Sequence, residues 1–214
     1  MTIWVQAVLV VLMLTNLWLL GSSRLLACIA VVAIQGILLG IMPLVIGVDA
    51  PLWRLALQAA LSFALKGVAL PLLLLRAVRR LELKREVQPF VGYSLSLLLG
   101  VAFLAVSLYL GANLPIPGAL RPTLLVPGAF FTAATGLFLI VARKSAIMQA
   151  LGYLVMESGI AAFGMALAER EPLLVEMGTF LDAFVAVFVM GITIFHISRE
   201  FDHIDSGKLS SLKD

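Results

Sequence analysis

Three ionisable side chains lie inside segments that are otherwise apolar. Glu157 interrupts the run GYLVMESGIAAF, Lys66 lies in LKGVALP, and Asp182 lies in TFLDAFVAV. A charged side chain at the centre of a bilayer costs about 2.5 kcal/mol or more, even on permissive insertion scales. Ionisable residues inside membrane segments frequently mark ion paths and proton relays. These three residues are therefore the first candidates for function.

Two interpretations of the three charged residues remain open from the residues alone. In the first, they pair with one another, with serines or with the backbone, and hold helices together. In the second, Glu157 and Asp182 relay protons and Lys66 modulates them. Burial favours the neutral forms of both a carboxylic acid and an amine, which would ease proton exchange near neutral pH.

The residues around the charged groups favour a polar environment. Pro71 has no N–H, so a helix through it leaves the carbonyl of Gly67 without its usual donor. This predicts a kink and a polar, hydrated pocket beside Lys66. Three further polar side chains are expected to support the site: Ser158, Tyr153 and Gln35.

The elements that carry these residues are predicted to be membrane-spanning helices. The chain is 62% hydrophobic and only 13% charged, whereas about a quarter of the residues of a soluble protein are charged. Its apolar runs are about 20 residues long without alternation, which indicates helices rather than the strands of a barrel. We expect an all-α bundle of seven spans, at about 3–21, 25–47, 55–75, 91–111, 124–142, 146–168 and 174–198.

The distribution of basic residues predicts the orientation. Eleven lysines and arginines fall in the C-terminal tail and in the loops after spans 1, 3 and 5, against three on the opposite side. Cytoplasmic loops carry the excess of Lys and Arg. The N-terminus is therefore expected outside and the C-terminus in the cytoplasm, with the protein in the cytoplasmic membrane of a bacterium or archaeon.

We expect a single integral membrane domain, residues 1–214. It comprises spans 1–3 (1–75), a charged cytoplasmic loop (76–90), a linking helix (91–111), spans 5–7 (124–198) and a cytoplasmic tail (199–214). Spans 1–3 and 5–7 would run in the same direction, and in each triplet a short basic turn follows the first helix. A parallel three-helix repeat would explain this pattern. The charged loop has two open interpretations, attraction to anionic lipid headgroups or docking of a hydrophilic partner.

Neither a metal nor a cofactor is expected. Cys28 is the only cysteine, which leaves no set of thiolates for a cluster or a zinc site. The two histidines, His196 and His203, lie close to the end of the last predicted span. We therefore expect no redox centre and no catalytic residue in this chain.

Two segments carry a resemblance to a known family. RKSAIMQALGYLVMESG and PLLVEMGTFLDAFVAVFVMGITI resemble component E of hydrogenase-4, a membrane subunit of formate-hydrogenlyase-type [NiFe]-hydrogenase complexes. The resemblance includes Gly152, Tyr153, Met156 and Glu157, and extends weakly over the whole chain. The sequence departs from the family at Ser158, where the family usually has Asn.

Spans 5–7 also resemble the K subunit of respiratory complex I and the C subunit of multisubunit cation/proton antiporters. Those subunits carry one carboxylate in the second and one in the third of their three helices. Asp182 matches the later one, with Asp in place of Glu. Glu157 falls about one helical turn beyond the earlier one, which keeps it near the same face.

The resemblance implies a non-catalytic membrane-arm subunit that contributes buried carboxylates to a proton path coupled to electron transfer. Its implied partners are antiporter-like and quinone-site-type membrane subunits, the hydrophilic hydrogenase arm and lipids. Two alternatives remain open. The chain could be a scaffold linking the antiporter-like subunits to the hydrogenase end, or, less favoured, an autonomous small transporter.

Overall fold

All regular structure in the described part of the chain is helical. The computed structural model describes residues 3–46, 52–80, 89–114 and 124–167. The described residues form seven α-helices: α1 (Ile3–Gly21), α2 (Leu25–Ile46), α3 (Leu52–Ser62), α4 (Leu70–Arg80), α5 (Tyr93–Asn113), α6 (Leu125–Ala142) and α7 (Ala146–Leu167). A π-helical segment, Phe63–Ala69, joins α3 to α4 without a break.

Five of the described helices are long and apolar enough to cross a membrane: α1, α2, α5, α6 and α7. They coincide with the first, second, fourth, fifth and sixth predicted spans. The third predicted span coincides with the helical stretch 52–80, whose three pieces are each too short to count by this measure. The seventh, 174–198, lies outside the described residues together with Asp182.

The π segment accounts for the disturbance expected near Pro71. Within it the bonds run from residue i to residue i−5, as shown by the N–H of Leu70, which donates to the carbonyl of Leu65. The next residue is Pro71, which has no N–H and cannot continue this register. The disturbance therefore takes the form of a π segment that contains Lys66, not of a simple kink at Gly67.

Small residues allow α2 to pack antiparallel along the stretch 52–80. A Cβ built on Gly36 would lie 2.7 Å from the Cβ of Lys66, and one built on Gly40 would lie 2.9 Å from the Oγ of Ser62. Gly67 faces Ile37 in the same way. The backbones approach this closely only because these positions carry no side chain.

Helices α6 and α7 form an even closer pair. A Cβ on Gly152 would lie 2.8 Å from the carbonyl oxygen of Gly136, and a Cβ on Gly159 would lie 2.8 Å from that of Ala129. Gly152 and Gly159 thus permit the close approach of α6 and α7. At Gly164, in contrast, no atom of the described residues lies within 4 Å of the position that a Cβ would take.

The core consists of two apolar clusters. One lies near the α1–α2 and α6–α7 turns and includes Leu19, Leu25, Leu74, Met148 and Leu151. The other lies at the opposite ends of the same helices and includes Val5, Leu9, Leu39, Met42 and Met165. Each of α1, α2, α6 and α7 contributes to both clusters, and each carries its buried polar residues between them.

The two helical hairpins have similar dimensions. The α1–α2 and α6–α7 connections are each three residues long, and α2 and α7 each have 22 residues. The third member of the second triplet falls outside the described residues. The three-helix repeat therefore stays a prediction.

Candidate functional site

Lys66 and Glu157 form a buried ion pair between the π segment and α7. The Lys66 Nζ donates to Glu157 Oε1 at 2.7 Å, and the two side chains are 9% and 4% exposed. Lys66 is the fifteenth residue of the 29-residue stretch 52–80, and Glu157 the twelfth of the 22 residues of α7. The pair is therefore in the middle layer of the bundle, as expected from the sequence.

Local backbone geometry positions the lysine. The absence of a side chain at Gly36 lets α2 press against the Cβ of Lys66, which limits the directions the side chain can take. π-helical segments widen the helix locally and occur frequently at functional sites. Lys66 thus combines a buried ammonium with an irregular backbone.

One oxygen of the carboxylate is engaged and the other is not. Oε1 of Glu157 accepts from Lys66, whereas the buried Oε2 has no hydrogen-bond partner among the described residues. A buried polar atom without a partner is uncommon in folded proteins and calls for an explanation. This oxygen can therefore accept a hydrogen bond from a further donor.

The predicted supporting residues have different positions. Ser158 is buried beside Glu157, and Tyr153 is half-buried against the apolar cluster near the α6–α7 turn. Gln35 is buried in α2, next to the glycine that contacts Lys66. Gly67 faces Ile37, and Pro71 follows the π segment in α4.

A hydrogen-bonded amide network lies in the same layer. Nε2 of Gln35 donates to Oγ1 of Thr15 at 2.7 Å and to Oδ1 of Asn16 at 3.0 Å. Nδ2 of Asn16 donates to Oγ1 of Thr132 at 2.8 Å, and Thr132 in turn donates to the Gly128 carbonyl. The network links α2, α1 and α6.

The sequence interpretation did not include Asn16 or Thr132. Asn16 in the first span was the available signal, because an amide in an apolar helix generally finds a partner in a neighbouring helix. Thr132 gave no comparable signal, because threonine can satisfy its hydroxyl on its own helix.

Arg143 is a second residue whose role the sequence did not indicate. It was counted among the basic residues of a cytoplasmic loop, but its side chain is completely buried. Its Nη2 donates to the Leu20 carbonyl at the end of α1, and its guanidinium lies 4.5 Å from the ring centroid of Tyr93. Arg143 thus connects the ends of α1, α5 and α6.

Within the ranges that the structure describes, no three His, Cys, Asp or Glu side chains gather as a metal site would require. Proton exchange is one reaction that the described residues can support, because an ammonium and a carboxylate 2.7 Å apart are joined by a hydrogen bond along which a proton can move.

Comparison with known proteins identifies relatives of this chain. No family model matches the chain, and no solved structure matches it. It is 34% identical over 191 residues to a Mycobacterium tuberculosis protein named "Uncharacterized protein Rv0085", covering 88% of this chain and 86% of the relative. It is 30% identical over 162 residues to hydrogenase-4 component E of Escherichia coli strain K12, covering 75% of this chain and 74% of that protein.

The component E of Shigella flexneri matches with the same identity and coverage. An identity of 30% over three quarters of both chains is too extensive to reflect shared hydrophobicity alone, and five of the described helices are of membrane-spanning length. The chain is therefore a membrane protein and belongs to the hydrogenase-4 component E family.

Proposed function

We propose that this chain is a non-catalytic membrane-arm subunit of a hydrogenase-4-like complex, and that the Lys66–Glu157 pair relays protons in it. The observation that carries the proposal is the ion pair itself, which lies between two apolar clusters and leaves one carboxylate oxygen without a partner among the described residues. Holding the two helices together engages only Oε1 of Glu157, which leaves Oε2 available to a second proton donor or acceptor.

The relay requires that the pair exchange its proton with a second group. Asp182 is the proposed second carboxylate, on the basis of the resemblance of spans 5–7 to the K subunit of complex I. In this exchange Lys66 would hold Glu157 through the bond from Nζ to Oε1. Electron transfer in the hydrophilic arm would drive this exchange through antiporter-like neighbours.

We also propose that the chain crosses the bacterial cytoplasmic membrane seven times with its N-terminus outside. The antiparallel packing of α2 along 52–80 supports a crossing there. Exposed aromatic residues support two interfaces: Trp4, Trp53 and Tyr109 near one end of the bundle, and Trp18 and Phe90 near the other.

The orientation can be tested with single cysteines. Asn113, at the end of α5, and Lys144, between α6 and α7, are both exposed. After Cys28→Ala removes the only native cysteine, a membrane-impermeant maleimide applied to intact cells should label Asn113→Cys and not Lys144→Cys. The reverse pattern would invert the proposed topology.

The relay is tested by Glu157→Gln, which keeps the shape of the side chain but removes its titrating proton. In inverted membrane vesicles we expect dye-linked hydrogenase activity and assembly to persist, while acidification measured with an acridine dye falls at least fivefold. Wild-type acidification in an assembled Glu157→Gln complex would show that Glu157 is not a relay residue.

A scaffold is the second candidate, favoured by the fact that the same ion pair joins α7 to the helical stretch 52–80. In that case Glu157→Ala should prevent assembly, whereas Glu157→Gln, which can still accept a hydrogen bond from Lys66, should assemble and translocate protons normally. The two variants together therefore separate a relay from a structural pair.

A further inference from the structure

Two more buried oxygens, like Oε2 of Glu157, have no hydrogen-bond partner among the described residues. They are Oε1 of Gln35 and Oγ1 of Thr135. Gln35 is 2% exposed and Thr135 is completely buried. The three oxygens belong to three different helices: α2, α6 and α7.

These oxygens lie in one layer of the bundle. Gln35 lies between Val32 of one apolar cluster and Leu39 of the other, and Thr135 lies between Ala129 and Leu139 in the same way. Close backbone contacts tie both positions to the ion pair. Gly36, the neighbour of Gln35, touches Lys66, and Gly136, the neighbour of Thr135, touches Met156, the neighbour of Glu157.

The chemistry of the three atoms restricts what they bind. The ionised carboxylate oxygen and the amide oxygen only accept hydrogen bonds, whereas the threonine hydroxyl can both accept and donate one. The single hydroxyl proton of Thr135 can serve only one of the other two oxygens, so the three atoms together still need at least one further small donor. Water in a polar site of this kind makes two to four hydrogen bonds, and it also conducts protons.

We propose that a path of polar side chains and water joins Glu157 to Gln35 and Thr135; this inference rests on the proposed relay. The proton would leave the ion pair within the middle layer of the bundle, toward α1 and α6, rather than along the membrane normal. The Asn16–Thr132 bond holds the α1–α6 wall of this path. The Gln35 amide is oriented by the bonds from its Nε2 to Thr15 and Asn16, and its unpartnered Oε1 would accept a hydrogen bond from water in the path.

Near-isosteric replacements in the assembled complex test this path. Gln35→Met and Thr135→Val each remove an acceptor oxygen with little change in volume. We expect each to lower protons translocated per electron at least fivefold, with dye-linked hydrogenase activity retained. Ser96→Ala is the matched control, because it removes a buried hydroxyl of α5 that donates to the Gly92 carbonyl of its own helix, and it should translocate normally.

Rescue separates a conducting role from a structural one. Gln35→Glu supplies an oxygen that can carry a proton, so it should restore at least half of the translocation lost in Gln35→Met. A purely structural amide predicts the opposite order, because a second buried carboxylate is harder to accommodate than a thioether. That order would overturn the proposal.

The Glu157→Gln complex distinguishes a failure of the lateral path from a failure of the proposed relay. If Glu157→Gln abolishes translocation but Gln35→Met or Thr135→Val translocates as wild type, the relay stands and the lateral path is wrong. If Glu157→Gln itself translocates normally, the relay is wrong and the path has no proton to carry.

Discussion

The Cα of Gly36 lies directly against Lys66, so that a Cβ at residue 36 would be 2.7 Å from the lysine Cβ. Side chains do not approach this closely without displacement. The glycine in α2 therefore sets the position of the ammonium that pairs with Glu157, although the two residues are far from the carboxylate in sequence.

We expect Gly36→Ala to disturb the ion pair. Overpacking of this kind costs about 1–3 kcal/mol. The added methyl group would displace the backbone of the π segment, which carries Lys66. The expected result is a lower thermal midpoint of the detergent-solubilised complex, together with reduced proton translocation. A Gly36→Ala complex with unchanged midpoint and translocation would show that α2 can move away without consequence.

The α6–α7 contact should be the least tolerant of added volume. Gly159→Ala directs a Cβ at the backbone of Ala133 and Ala129, which cannot rotate away, so we expect a loss of about 3 kcal/mol or more. Gly164→Ala, on the same helix, meets open space within the described residues and should be neutral or slightly stabilising. Protein abundance in membranes and resistance to detergent-induced unfolding measure the difference.

Removing one member of the ion pair should be worse than removing both. Lys66→Met leaves the Glu157 carboxylate buried and uncompensated, at a cost of about 3–5 kcal/mol. The double variant Lys66→Met/Glu157→Leu replaces the pair with apolar groups, and we expect it to recover most of that stability while remaining inactive in proton translocation. Equal destabilisation in the single and double variants would mean that the pair contributes mainly through packing.

Arg143 should contribute more to stability than an exposed loop arginine, because its side chain is buried and bonded. Arg143→Ala removes the donor to the Leu20 carbonyl and the contact with Tyr93, and we expect it to cost about 2 kcal/mol or more. Lys144→Ala is the matched control. The ammonium of Lys144 lies 4.9 Å from the ring centroid of Phe90, both residues are exposed, and the expected cost is about 1 kcal/mol or less. Thermal midpoints of the two variants provide the comparison.

The sequence by itself determined the helical class, the boundaries of five membrane-length helices and three candidate ionisable residues, two of which the structure pairs. Apolar runs of about 20 residues admit few alternatives in lipid, because the backbone must satisfy its own hydrogen bonds there. Lys66 and Glu157 could be identified because a charged side chain in such a run is costly and therefore conspicuous.

Only the tertiary structure decided how these groups are held. Glycine is common in membrane helices for several reasons. Nothing in the sequence therefore distinguishes Gly36, which contacts Lys66, from Gly164, which has no close neighbour among the described residues. The same holds for Arg143, whose burial depends on where the ends of α1 and α5 meet the α6–α7 turn. Contacts between helices far apart in sequence depend on how the helix surfaces pack. The pattern of residues within one helix does not indicate which other helix will pack against it.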